Sequence, residues 1–245
     1  MSYGAGAGAS YRAGIVTAGD ALLVTHILLL VAWLGIDVGV FYSSFVMRRP
    51  GLSTETRQQV RGVMVTLDLA PRVSLILMVP VGLGLAHITG FGFSRYSSDA
   101  VVLTLWVIAI VATAWAVLTV WAFRKRQSGT STEAVAVFGR ADVVARVVLA
   151  AALLALGVWS AAGNGPLGPR WLAWKAILFG LIVVAGLWIR VAAGRYRPAL
   201  NDLLEHGESL ERLTAVNRTI RGVYPAVLAV WGGLVVMVVL SVARP

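Results

Sequence analysis

Four side chains able to ligate, titrate or carry charge stand inside long apolar runs: His26, Asp37, His87 and Lys175. An ionisable group in such a setting is costly to desolvate and is a functional hypothesis by default. His26 and Asp37 share the stretch "THILLLVAWLGIDVGVFYSSF", residues 25–45. On a helix their spacing is roughly 16 Å along the axis. At about 100° per residue, His26, Trp33, Asp37 and Ser44 form one narrow stripe. Gly35 and Gly39 form a small-xxx-small face almost opposite, on which a helix or a flat ligand can approach the backbone closely. Asp37 is too deep to reach water, and its short side chain needs a partner. It is either the candidate catalytic group or half of a polar pair.

Two imidazoles in a dry site suit haem b, whose iron takes axial ligands from facing helices and whose ring needs apolar walls and glycine-sized space. On this reading His26 and His87 are the metal ligands, and Trp33, Gly35 and Gly39 line the ring. Propionates then point toward Arg170, Arg95 or Arg12. Lys175 is an alternative ligand as the neutral amine, or a propionate partner. Plainer readings stand beside these. Either histidine can be an interfacial residue bonded to a carbonyl, and Lys175 can snorkel to the surface.

The elements that must position these residues follow from composition. Of 245 residues, 58% are hydrophobic and only 13% charged, against roughly a quarter charged in a soluble domain. Apolar runs fall at about 21–46, 72–91, 101–123, 143–162, 171–190 and 222–242. Each approaches the ~20 residues that cross a bilayer as a helix. The expected fold is an all-α polytopic membrane bundle of six transmembrane helices, preceded by a disordered Gly/Ala-rich tail over 1–20. There is no cysteine, which excludes disulfides, thiolate ligands and iron–sulfur clusters.

The net charge of +10 does not signal nucleic acid, because the basic residues lie in short connections between spans. Sixteen of the 21 lysines and arginines fall in three stretches, 47–72, 124–146 and 190–221. The positive-inside rule puts those stretches in the cytoplasm and both termini outside the cytoplasmic membrane. Trp106, Trp159, Trp171 and Trp174 then form the outer aromatic belt. His26, His87 and Lys175 are expected at one depth, in the outer leaflet.

The cytoplasmic connections carry helix-start signals, Ser-Thr-Glu at 53–55 and again at 131–133, so each helix runs on into the following span. Residues 199–220 pattern as an amphipathic helix at the interface, with Leu200, Leu203, Leu204, Leu210, Leu213 and Ile220 near one face. A repeat is also suggested. Asp68-x3-Arg72, Asp142-x3-Arg146 and Asn217-x3-Arg221 recur at offsets of 74 and 75 residues, and i,i+4 spacing lets each pair meet. Three like hairpins would follow, with Lys175 in register with His26.

The segment "HILLLVAWLGIDVGVFYSSFVMRRP" resembles the first helix of the HemJ-type membrane protoporphyrinogen oxidases, and of the related CopD-like and urate-oxidase-type membrane domains. The shared opening is a His followed by an apolar turn and an Ala-Trp-like pair, here Ala32-Trp33. "RWLAWKAILFGLIVV" is similar to a later helix of that family, in which a tryptophan precedes a lysine. "AVNRTIRGVYPAVLAVWGGLVVMVVLSVARP" is similar to its final segment. The likeness covers about 22–90 and 170–245, leaving 95–165 as an inserted hairpin. It implies that His26 and Lys175 are haem-associated. "IDVGVFYSS" stands where the family carries a basic residue, so haem binding transfers better than porphyrinogen oxidation.

The expected function is therefore a haem b membrane protein handling electrons, an oxidoreductase with porphyrin or quinone as partner besides membrane lipid. Two other classes stay open. A CopD-like copper transporter would need soft ligands, yet only Met78 and Met237 lie well inside spans. A non-catalytic subunit of a larger membrane complex, or a homo-oligomer, fits the many small residues.

Overall fold

The computed structural model describes residues 17–93, 96–130 and 132–244. Most of the predicted N-terminal tail, together with Arg12 and Arg95, lies outside the described residues. Thr17 caps the first helix, accepting from Asp20 N, while Asp20 accepts from the Thr17 backbone. That reciprocal capping box fixes a helix start. Ala18–Asp20, assigned to the tail by sequence, therefore belong to α1.

The chain is all-α. In order the helices are α1 (Ala18–Val46), α2 (Thr54–Leu67), α3 (Leu69–Ile88), α4 (Ser98–Gln127), α5 (Glu133–Ala161), α6 (Arg170–His206), α7 (Leu210–Arg221) and α8 (Tyr224–Ala243). Among the described residues no strand forms; Gly92 and Leu167 make one isolated bridge. Six helical segments are long and apolar enough to cross a bilayer: α1, α2–α3, α4, α5, α6 and α7–α8. The protein is a multi-pass membrane protein. The Ser-Thr-Glu signals act as expected. Ser53 accepts from Thr56 N to cap α2, which meets α3 at Asp68. Thr132 precedes α5, which runs unbroken into its span. α3 continues through Pro80.

In the bundle α1 packs on α3, α3 on α4, α5 on α6, and α6 on α8. The central apolar core takes Trp33 from α1, Leu75 and Ile76 from α3, Ala112 from α4, Leu153 from α5, Phe179 and Val183 from α6, and Leu234 from α8. α4 and α5 touch each other little. Instead α4 leans on α3, and α5 makes the most extensive pairing, with α6. Glycine explains that pairing. A Cβ on Gly157 would lie 2.8 Å from Ile177 N and 2.9 Å from Ala173 O. A Cβ on Gly180 would lie 2.8 Å from Leu154 Cγ. Without side chains at these crossings the two backbones approach closely, which is how helices gain contact where lipid offers no hydrophobic drive.

α1 is not enclosed by protein on both sides, as its two polar and small stripes suggested. Val24, Leu28, Val31, Val38 and Tyr42 are exposed along one stripe that also contains Gly35. That face meets lipid.

The three basic connections gather at one end. Arg48 Nη1 donates to Asn217 Oδ1 at 2.9 Å, and Arg48 Nη2 donates to Tyr224 Oη. Arg190 Nη1 donates to Asp142 Oδ2 at 2.5 Å. The suspected repeat is thus realised unevenly. Arg72 pairs with Asp68, and Arg146 with Asp142, but Asn217 takes Arg48 rather than Arg221. The helix expected over 199–220 is two pieces. α6 runs to His206, Gly207 breaks it at φ +76°, and α7 turns back. Leu200, Leu203, Leu204, Leu213 and Ile220 are buried with Met47 and Tyr196 in a second core, while Leu210 is exposed. The apolar face packs on protein instead of lying on lipid. α6 spans 37 residues, roughly 55 Å, so a single rod crosses the membrane and continues through the basic end.

Candidate functional site

α1 and α3 run antiparallel, and glycines fix their register. A Cβ on Gly19 would lie 3.4 Å from Ile88 Cγ2, one on Gly84 3.5 Å from Leu22 Cδ1, and one on Gly82 3.5 Å from His26 Cε1 and 3.9 Å from its Nδ1. The His26 ring therefore rests against the bare backbone of α3 at Gly82. His87 lies five residues further along α3, roughly 7.5 Å nearer the helix end. The expectation that the two histidines share one depth does not hold. Helix rise sets this, because α3 pairs with α1 about a turn deeper than span lengths alone implied.

His26 makes no hydrogen bond with any described residue, and its Nδ1 is buried without a partner. Buried polar atoms in folded proteins are nearly always paired, so each exception asks for an explanation. Lys175 does not snorkel away. Its Nζ donates to Ser241 Oγ of α8 at 2.7 Å and stands 5.8 Å from the Trp171 ring centroid. Ser241 in turn donates to Met237 O at 2.8 Å. Lys175, which sequence placed in register with His26, is thereby tied between α6 and α8.

Asp37 has a partner that sequence reading missed. Trp231 Nε1 on α8 donates to Asp37 Oδ2 at 2.7 Å. Trp231 also packs edge-on against Phe41, 5.1 Å between centroids, and Phe41 does the same with Tyr224 at 5.1 Å. Aromatic side chains thus join α1 to α8 where their backbones stay apart. Trp231→Phe removes the one donor and leaves a desolvated carboxyl group, at a cost of about 1–3 kcal/mol. Asp37→Asn keeps an acceptor and is expected to be tolerated. Thermal unfolding of the detergent-solubilised variants checks this: equal losses from both would show that the hydrogen bond contributes nothing.

The remaining candidates separate. Trp33 is 4% exposed and packs edge-on against Phe179, at 5.9 Å, within the central core. Gly39 abuts Leu67, whose Cδ1 would lie 3.3 Å from an added Cβ, whereas nothing lies within 4 Å of Gly35. The two glycines do not form one close-approach face; Gly35 opens on the lipid stripe. Arg170 is exposed at the start of α6. No group of three or more His, Cys, Asp or Glu that could hold a metal forms among the described residues.

Sequence reading also missed Gly82 and Ser241, because neither carries charge and each gains meaning only from the helix it faces. An apolar run containing a Gly-x-Gly pair, as at 82–84, was the available signal for α3. In comparison with known proteins, the chain matches no family model, no curated protein and no solved structure.

Proposed function

We propose that this protein binds haem b within the membrane and serves a redox role, with His26 as its iron ligand. The observation that carries the reading is His26 itself: an imidazole whose buried Nδ1 has no hydrogen-bond partner among the described residues, seated on α3 at Gly82, while Lys175 is tied to Ser241 on a helix remote in sequence. When bound, haem supplies one-electron chemistry at iron. The missing side chain at Gly82 lets the imidazole seat directly against the α3 backbone. Ser241 fixes the Lys175 amine, which would serve either as second ligand or as partner of a propionate. A quinone or a porphyrin is the partner class this chemistry suits. The gathering of basic connections at one end supports a cytoplasmic-membrane location with both termini on the outer side.

The test is an absorption spectrum of protein purified from haem-replete cells. Wild type is expected to show a Soret band, His26→Ala to lose most of it, and Lys175→Ala to shift or weaken it. His87→Ala is expected to retain the band, since the helix register separates His87 from His26. A colourless wild-type preparation sinks the proposal.

A further inference from the structure

At the basic end a cleft between α3, α4, α5 and α6 is lined by Arg72, Arg126, Arg146 and Arg190, with Asp142 the only acidic residue in its wall among the described residues. Asp142 is heavily committed. It accepts from Arg146 Nε at 3.2 Å on each oxygen, from Arg190 Nη1 at 2.5 Å and from Trp115 Nε1 at 2.9 Å. Arg190 Nη2 also donates to Gly139 O at 3.1 Å, and Arg72 pairs with Asp68.

Arg126 is different. Exposed to solvent on one side, it makes no hydrogen bond or ion pair with any described residue, and a Cβ on Gly139 would lie 3.0 Å from its Nη2. The cationic groups acting on it are Arg190, Arg72 and Arg197, opposed by Asp142 alone. Arg197 in turn lies in the field of Arg72, Arg190 and Arg61, opposed by Asp68. Six arginines thus share a region with two carboxylates. Like charges crowded against a low-dielectric wall repel, and an anion between them reverses the sign of that energy. Apolar Leu69, Ala122 and Phe123 complete the wall, so the cleft sits where spans emerge from hydrocarbon. Guanidinium forks match phosphate oxygens in pairs, and basic pockets between membrane helices at this boundary suit phosphate head groups.

We propose that this cleft binds a phosphate group, borne by an anionic phospholipid or free in solution, with Arg126 as the unpaired donor and Arg72 and Arg190 beside it. The site lies at the opposite end of the bundle from His26 and does not rest on the haem reading.

Native mass spectrometry of the full-length protein in detergent tests it, with phosphatidylglycerol or inorganic phosphate as probes. Arg126→Gln breaks no internal bond, so the variant is expected to fold; Arg126→Lys keeps the charge without the fork. Arg124→Gln, on an exposed neighbour that does not line the cleft, controls for net charge. Wild type and Arg124→Gln are expected to retain a phosphatidylglycerol adduct, Arg126→Gln to lose about tenfold in occupancy, and Arg126→Lys to fall between. An Arg126-dependent adduct of phosphatidylglycerol that inorganic phosphate does not displace identifies the lipid as source. An Arg126-dependent adduct of inorganic phosphate identifies the soluble ion. If neither adduct depends on Arg126, the proposal is overturned.

Discussion

Alanine at Gly157 is expected to lower the unfolding temperature of the solubilised protein, whereas alanine at Gly186 raises it slightly. Both glycines lie mid-helix, and intrinsic propensity alone predicts a gain of roughly 0.5–1 kcal/mol for either change. Surroundings decide the sign. Nothing lies within 4 Å of a Cβ at Gly186, but one at Gly157 meets Ile177 N at 2.8 Å and Ala173 O at 2.9 Å. Those are backbone atoms of α6 and cannot rotate away, so α5 and α6 must separate. Overpacking of this kind costs about 1–3 kcal/mol, occasionally more, and it strikes the most extensive helix pairing in the bundle. A leucine there is expected to abolish recovery of folded protein. Gly157→Ala unfolding no earlier than wild type would show that α5 and α6 do not cross at this glycine.

The second large effect is expected at Arg57. Its side chain is 1% exposed and donates to Met47 O, to Arg49 O at 3.0 Å, and to Glu208. It ties the end of α1 to the α6–α7 turn. Glu208 also receives Gly51 N, at 3.1 and 3.0 Å on its two oxygens. Arg57→Met removes the guanidinium from two carbonyls and leaves the Glu208 carboxylate only Gly51 N, and breaking a buried pair from one side costs about 3–5 kcal/mol. Glu208 is 32% exposed, so water recovers part of its share and the low end applies. Glu208→Gln should cost less, and the double variant less than the sum of the two singles, because the second change removes the stranded charge. Additive losses in a thermal-unfolding cycle would rule out a working pair.

The features that sequence conveyed are those set by hydrocarbon thickness and helical period. Six apolar runs became six spans, and the Ser-Thr-Glu signals became helix starts. What stayed hidden depends on which helices are neighbours. Asp37 announced that it needed a partner, but Trp231 is 194 residues away and nothing local names it. His87 looked equivalent to His26 because both precede or follow a span end by a turn; only the Gly82 contact reveals the offset. Lys175 stood out as a charge inside an apolar run, whereas the repeat that set it in register with His26 is one the packing honours incompletely, since α4 and α5 barely touch while α1 and α3 pair closely. Arg126 read as one more interfacial charge, and its lack of a partner is a property of the assembled cleft.

α6 also joins the two ends of the bundle by continuity. The helix that carries Lys175 is held against α5 at Ala173, Ile177 and Gly180, and the same helix contributes Tyr196, Leu200 and Leu203 to the second core. One element thus sets the position of both ends, so neither mouth of the bundle is placed independently of the other.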